Sequence, residues 1–257
     1  MKQLRNGLLL AGFITAWGCG IVSAQTAMRL GTDDWKPYEF RQEKELTGYS
    51  VEVVQQVFKQ MGIEISSLEI FPWARAEWMV FNGELDALFS VTKSQKREEA
   101  CFFPSEALAQ SDWVLFIRKS DVGQLKFDTL EDLKGKQIGV VREHAYTPEF
   151  WEFLKREKNY EEVAADAQNF QKLAAHRVDY VVSEYAVGMS LLNELGLIDK
   201  IVALAESPLK RAELFIMFSK KTVSAEIVAQ FSETLRQFKT TLAFQEIAAK
   251  YLRDAAW

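Results

Sequence analysis

The run Trp113-Val114-Leu115-Phe116-Ile117 is apolar at every position, and far along the chain Leu214-Phe215-Ile216-Met217-Phe218-Ser219 repeats its composition. Short, continuous apolar runs bounded by polar stretches read as strands covered on both faces. Upstream of the first run, residues 28–32, 63–71 and 86–91 are β-type. They alternate with helical stretches at 50–61 and 73–82. In the former, Val53, Val54, Val57, Phe58 and Met61 share one face, and Gly62 and Gly83 are placed to stop the two helices. Between the twin runs the theme returns. Thr129-Leu130-Glu131-Asp132 resembles a capping box for a short helix ended by Gly135, and 137–142 is a strand. Thr147-Pro148 opens a helix with a cap residue and a first-turn proline, followed by a helix at 168–176, a strand at 178–183 and a helix at 184–195. Helical stretches at 225–238 and 242–252 close the chain. This alternation predicts α/β layers with mostly parallel sheets. The twin strands are read as the crossings between two lobes, with the last two helices returning to the first.

Composition narrows the function. Lys2 and Arg5 precede an apolar run over residues 8–17 that leads to Val22-Ser23-Ala24, the pattern of a leader cleaved near Ala24-Gln25. That reading directs the mature chain to the periplasm, and no later segment approaches the roughly 20 apolar residues of a membrane span. A rival reading makes Cys19 a lipidated cysteine; Trp17, bulky and two positions before it, argues against that. Loss of the leader moves the formal charge from −5 to −7, which argues against nucleic acid as a partner. Only Cys101 then remains, between Ala100 and Phe102, so no internal disulfide is expected and the thiol is read as buried. A mature chain of roughly 230 residues exceeds the usual single domain and accommodates two lobes.

Chemistry is sparse. With only His144, His176 and one mature cysteine, the chain is too poor in ligands for a zinc site, and no glycine-rich phosphate loop is present. No catalytic residue, metal or cofactor is expected. Open α/β sheets place ligands just beyond strand ends, and several such positions carry rings or charges. In Asp33-Asp34-Trp35-Lys36-Pro37-Tyr38, Trp35 and Tyr38 either stack on a ligand or pack the loop onto its lobe. Phe71-Pro72-Trp73-Ala74-Arg75 sets Trp73 and Arg75 at a helix start, where a cation opposes the dipole and calls for an anionic partner, protein or ligand. The stretch from Ser90 to Arg97 brings Ser90, Thr92 and Arg97 together in a set suited to a carboxylate. Its plainer reading is a basic surface turn made of Lys93, Lys96 and Arg97.

Taken in order, these segments resemble the family 3 extracellular solute-binding proteins of bacterial ABC uptake systems, from about Met28 to Leu252. The landmarks are Gly48-Tyr49-Ser50-Val51-Glu52, Trp73 through Gly83 to Asp86, and Thr92-x-Ser94-x-x-Arg97. They continue with Leu130 to Gly135 leading to Ile138-Gly139-Val140-Val141, and Arg177-Val178-Asp179 running to Glu184. The resemblance implies a type II periplasmic-binding fold: two α/β lobes joined by two hinge strands, with a ligand cleft between them. Residues 25–117 with 213–257 would form one lobe and 118–212 the other. It also implies that Arg97 and Thr92 grip a carboxylate, that Glu184 stands where an aspartate receives an ammonium, and that Tyr38 is an aromatic wall. Arg142, Tyr146 and Glu184 would be the groups that engage the ligand on closure. Two departures stand out. Glu143-His144-Ala145-Tyr146 replaces the usual glycine and hydroxyl of the second lobe, and Glu184 is one methylene longer than aspartate. Pro72-Trp73-x-Arg75 and Arg142-x-x-x-Tyr146 resemble a little-characterised branch of the family. The expected function is capture of a small polar solute, amino-acid-like or otherwise carboxylate-bearing, without turnover, by a monomer that delivers it to an inner-membrane ABC permease. The alternatives are a cyclohexadienyl or arogenate dehydratase-like enzyme using Glu143, His144 and Glu184, and a ligand sensor that signals to a receptor.

Overall fold

The computed structural model describes residues 27–142, 144 and 146–252. The leader and Cys19 readings, and the proposed proton donor Glu143, lie outside the described residues. In chain order the first elements are β1 (Ala27–Thr32), the hairpin of β2 (Phe40–Gln42) and β3 (Glu45–Thr47), α1 (Tyr49–Met61), β4 (Glu64–Ile70), α2 (Trp73–Asn82) and β5 (Ala87–Val91). Then come α3 (Gln95–Ala100), β6 (Cys101–Phe102) and the long β7 (Ala109–Arg118). The middle of the chain supplies β8 (Ile138–Val141), α4 (Pro148–Glu157), β9 (Tyr160–Val163), α5 (Asp166–Ala174), β10 (Tyr180–Glu184), α6 (Tyr185–Glu194) and β11 (Ile201–Leu204). The long β12 (Lys210–Ser219) precedes α7 (Ala225–Phe238) and α8 (Leu242–Tyr251).

One sheet runs through the molecule in the order β4-β1-β5-β12-β7-β10-β8-β9, with β6 on β12 and β11 on β7. Its two wings are parallel, as expected: β4 with β1 and β1 with β5 in one, β10 with β8 and β8 with β9 in the other. The centre differs from the sequence expectation. β5–β12, β12–β7 and β7–β10 are all antiparallel, because β7 and β12 run in opposite directions between the wings. Lys210 to Leu214 of β12 pair with β7 residues Trp113 back to Ala109, while Phe215 to Phe218 pair with β5. β7 in turn continues beside β10 and β11 through Trp113 to Arg118.

Each wing is covered on both faces. In β7, Val114 and Phe116 pack with Phe170 and Leu173 of α5 and Leu192 of α6, whereas Leu115 and Ile117 pack with Phe150, Phe153 and Leu154 of α4. Successive strand residues point to opposite faces, so an uninterrupted apolar run is what a doubly covered strand requires. In the other wing, Val53, Val54, Val57 and Phe58 of α1 meet Leu30, Phe89, Phe218 and α7 residues Phe231 and Leu235. Leu88 and Met217 face Ala76 and Val80 of α2 on the opposite side. Burying a side chain such as Phe58 or Phe231 contributes about 1.5–3 kcal/mol.

The local signals act as their chemistry dictates. Gly62 and Gly83 end α1 and α2 in the left-handed conformation, at φ 71° and 78°. The Thr129 and Asp132 side chains form a reciprocal capping box, here on a 3-10 turn, and Thr147 Oγ1 accepts from Phe150 N. Asp86 holds Arg29 by a 2.8 Å ion pair and also accepts from Arg29 N, fixing the approach of β5 to β1. Asp179 accepts from Gln137 N at 2.8 Å and has a structural role at the start of β10.

Candidate ligand site between the lobes

The site is built first by the loop after β1. Trp35 N donates to Glu39 O, and Tyr38 N and Glu39 N both donate to Trp35 O, so residues 35–39 close on themselves around a cis Lys36-Pro37 bond. The amino end of α1 then clamps the loop: Tyr49 N donates to Pro37 O and Ser50 N to Tyr38 O. Gly48 makes this approach possible, since a Cβ there would lie 2.3 Å from Tyr38 O. Helix amino ends present free N–H groups, and this loop supplies their acceptors. The Trp35 and Tyr38 rings lie 4.7 Å apart; Tyr38 is 1% exposed and packs against Tyr49, as the loop-packing alternative expects, while Trp35 stays partly open.

From that position Tyr38 reaches the other lobe. Its hydroxyl donates to Glu184 Oε1 at 2.9 Å and lies 3.3 Å from Gln110 O on the crossing strand. Glu184, 2% exposed, also accepts from Val187 N at 2.8 Å and so caps α6. Burial pushes its carboxyl up to about 8, with nearby Asp112 adding to the rise and the Val187 N–H and Tyr38 hydroxyl opposing it. An ion pair between Lys36 and Glu194 of α6 joins the lobes a second time.

Beneath Tyr38 lies a second polar group that the sequence did not reveal as a unit. Glu39 is fully buried, its Oε2 2.7 Å from Ser90 Oγ, which is itself 2.8 Å from Ser50 Oγ. Burial pushes Glu39 well above the ordinary carboxylate range, and Asp33, also raised by burial, faces it. Ser90 adopts φ 60°, a conformation uncommon for a side chain other than glycine, and its hydroxyl is turned inward to Glu39.

A separate group gathers Arg97, Thr92 and Trp73. Arg97 NH1 donates to Thr92 O at 2.8 Å and Thr92 Oγ1 at 3.1 Å, and its guanidinium lies 5.2 Å from the Trp73 ring. Sequence reasoning missed Glu77 of α2, which accepts from Arg97 Nε at 2.8 Å and pairs with Lys96. Burial works to raise Glu77, but the two cations outweigh it and hold its carboxyl below the usual range. Arg75 lies over Phe71, 5.7 Å from the ring, and no acidic residue stands in the first turn of α2.

Two second-lobe candidates, Tyr146 and Arg142, are held by protein partners. Tyr146 is 5% exposed in the α4 core and its hydroxyl accepts from Val141 N, because the ring fills space between Trp113, Phe150 and Trp151. The Arg142 side chain, 65% exposed, pairs with Glu162 of β9 and opens on an outer recess of about 650 Å³ rather than toward Glu184. Among the described residues, no group of three or more His, Cys, Asp or Glu is arranged to hold a metal, and no helix is long and apolar enough to cross a membrane.

Two α/β lobes on a shared pair of crossing strands, meeting through side chains at their strand ends, define the type II periplasmic-binding fold. Residues 28–254 match the family model described as bacterial extracellular solute-binding proteins, family 3, and the chain belongs to that family. Among curated relatives it is 29% identical over 140 residues to the probable ABC transporter extracellular-binding protein YckB of Bacillus subtilis (strain 168), covering 54% of this chain and 47% of that protein. It is 27% identical over 165 residues to the L-cystine-binding protein TcyJ of Escherichia coli (strain K12), covering 62% and 59%. The chain thus spans about half the length of the curated relatives it matches. Among solved structures, a histidine kinase sensor domain with similarity to periplasmic binding proteins superposes with a TM-score of 0.65 at 25% identity, over 90% of this chain and 98% of that one. The names of the two curated relatives are those of binding proteins rather than enzymes.

Proposed function

We propose that the protein captures a small polar, amino-acid-like or otherwise carboxylate-bearing solute between its lobes and releases it unchanged to an ABC permease of the inner membrane. It works as a periplasmic monomer of two lobes, one built from the two ends of the chain and the other from its middle, with β7 and β12 crossing between them. The observation that carries this reading is the hydrogen bond from Tyr38 to Glu184, which joins the loop after β1 to the end of β10 across the two lobes. Such a contact forms only when the lobes are shut, so it belongs to a hinged clamp with an open counterpart. A solute that makes its own bonds to both sides favours the shut form by the difference in its affinity for the two. Thr92 and Arg97 present a guanidinium and a hydroxyl to the carboxylate, with Trp73 and Trp35 as ring faces and Arg75 at the rim.

The test is native mass spectrometry of protein purified without denaturation, followed by calorimetry across amino acids, amines, short peptides and organic acids. One solute per chain, recovered chemically intact, is the expected result; absence of binding across the panel removes the reading. Arg97→Ala is expected to weaken a carboxylate-bearing solute by at least about tenfold, at charge-assisted strengths of ~1.5–3 kcal/mol per bond. Retained affinity assigns the anchor elsewhere.

Glu184 supports a second reading. A carboxyl held up to about 8 keeps its proton at neutral pH and has the state required of a general acid. A dehydratase acting on prephenate or arogenate would consume substrate absorbance during incubation, and an unchanged spectrum dismisses it. A sensory role is separated from uptake by a receptor recovered in a pull-down in place of a permease.

A further inference from the structure

A group of buried polar atoms in the second lobe has no partner. Asp166 stands in the first turn of α5 and Asn169 follows it by three residues, which puts both on one helix face. Ser183 lies near the end of β10, and His144 follows the end of β8. Asn169 and Ser183 are fully buried. His144 Nδ1, Asp166 Oδ1, both polar atoms of the Asn169 amide and Ser183 Oγ are all buried without a hydrogen-bond partner. Buried polar atoms are almost always paired in native proteins, and unpaired ones lose the water they had in the unfolded chain. Four neighbouring residues breaking that rule together indicate a place kept for a molecule.

The group adjoins the clamp. The His144 ring lies 5.5 Å from the Trp113 ring, and Trp113 is the cross-strand partner of Glu184. Ser183 precedes Glu184 in the same strand, and its hydroxyl approaches Asp166, although neither Ser183 Oγ nor Asp166 Oδ1 has a partner of hydrogen-bonding geometry.

We propose that His144, Asp166 and Ser183, with Asn169 behind them, form a second-lobe subsite that receives a cationic nitrogen group of the solute, an ammonium or a guanidinium. The inference rests on the capture function proposed above and specifies the solute's class. Three features select a cation. The unpaired atoms are mostly acceptors, and one belongs to a carboxylate. Asp166 already supplies the negative charge that favours the start of α5, so a second anion there meets repulsion. The neighbouring cations are committed elsewhere, Lys172 to Glu161 and Arg142 to Glu162. Burial holds Asp166 above the usual carboxylate range, with His144 as its opposing charge, and the same burial holds the His144 imidazole low. A bound cation would complete the charge balance that a neutral imidazole leaves open.

The experiment compares solutes matched in length that differ in side-chain charge: L-arginine with L-citrulline, and L-lysine with L-norleucine, by calorimetry at neutral pH. At least one cation is expected to bind about tenfold or more tightly than its neutral partner, the preference that a site built for specific polar groups enforces. Asp166→Asn, nearly isosteric, is expected to reduce that preference to less than about threefold while the melting temperature stays close to that of the unaltered protein. Ser183→Ala, which only removes an atom, is expected to reduce it by a smaller factor and serves where Asp166→Asn fails to fold. A charge preference of less than about threefold in the unaltered protein, no binding of either cation at about 1 mM, or a preference unchanged by both variants overturns the proposal. A protein that binds glutamine, glutamate, histidine or cystine without charge preference keeps the capture function and loses this subsite. One that binds nothing loses both.

Discussion

Replacing Tyr38 by phenylalanine should open the clamp. The ring stays, with its contacts to Trp35 and Tyr49, and only the hydroxyl that donates to Glu184 Oε1 at 2.9 Å is lost. Val187 N still serves Oε2, but buried Oε1 loses its side-chain donor. Such a loss costs about 1–3 kcal/mol, and it falls on the shut form alone, because an open cleft hydrates Glu184. The open-to-shut ratio should therefore rise about 5- to 150-fold. Cysteines introduced at Gln60 and Lys155, exposed on α1 and α4, would carry a fluorophore pair for single-molecule energy transfer. Cys101 will not compete for the label, since its thiol is buried and pushed up to about 11. A Tyr38→Phe protein with an unchanged or larger shut fraction refutes the reasoning and leaves the Tyr38–Glu184 contact incidental.

Two further outcomes follow from geometry. Glu184 in the shut form holds its proton up to about 8, against an ordinary value of 4.5 once hydrated, so the shut form binds more protons across that window. The groups acting on it from other elements are Tyr38 and Asp112, the latter itself raised by burial, with Arg211 opposing. The shut fraction, read by the same fluorophore pair, should fall as pH rises from 4.5 to about 8. A flat or rising profile contradicts this. Gly188→Ala in α6 would place a Cβ 2.3 Å from the Phe116 ring, an overpacking that costs about 1–3 kcal/mol. The urea midpoint should drop accordingly, and an unshifted midpoint would mean that the α6–β7 contact yields freely.

Much of the fold was legible because its signals are local. The α1 face of Val53, Val54, Val57 and Phe58, the stops at Gly62 and Gly83, and the cap at Thr147 each depend on residues a few positions apart. What escaped depends on partners distant in sequence. β7 begins at Ala109, before its apolar run, because Gln110, Ser111 and Asp112 are held by hydrogen bonds to β12 and not by their own pattern. Strands β9 and β11 are short, and the exposed Glu161 and Glu162 of β9 hide it among loop-like residues. Of the candidate residues, Trp35, Tyr38 and Arg97 were visible as rings and a charge beyond strand ends, and Glu184 through the resemblance. The Tyr38–Glu184 contact and the Arg97–Glu77 pair were not, since no spacing rule joins positions so far apart. Asp166 gave one signal, an acid at the head of a helix. It went unread because the alanines around it delayed the expected start of α5 to Gln168.

Leu30 and Phe58 from the front of the chain share their core with Phe231 and Leu235 from its end. Because α7 completes that core, this half of the molecule stays unfinished until almost the whole polypeptide exists, whereas the other half draws on one uninterrupted segment. Folding should accordingly begin in the middle and finish at the two ends together. The late step carries the loop-closure entropy of everything between them, which makes a newly made chain slow to become compact and keeps its front accessible in the meantime.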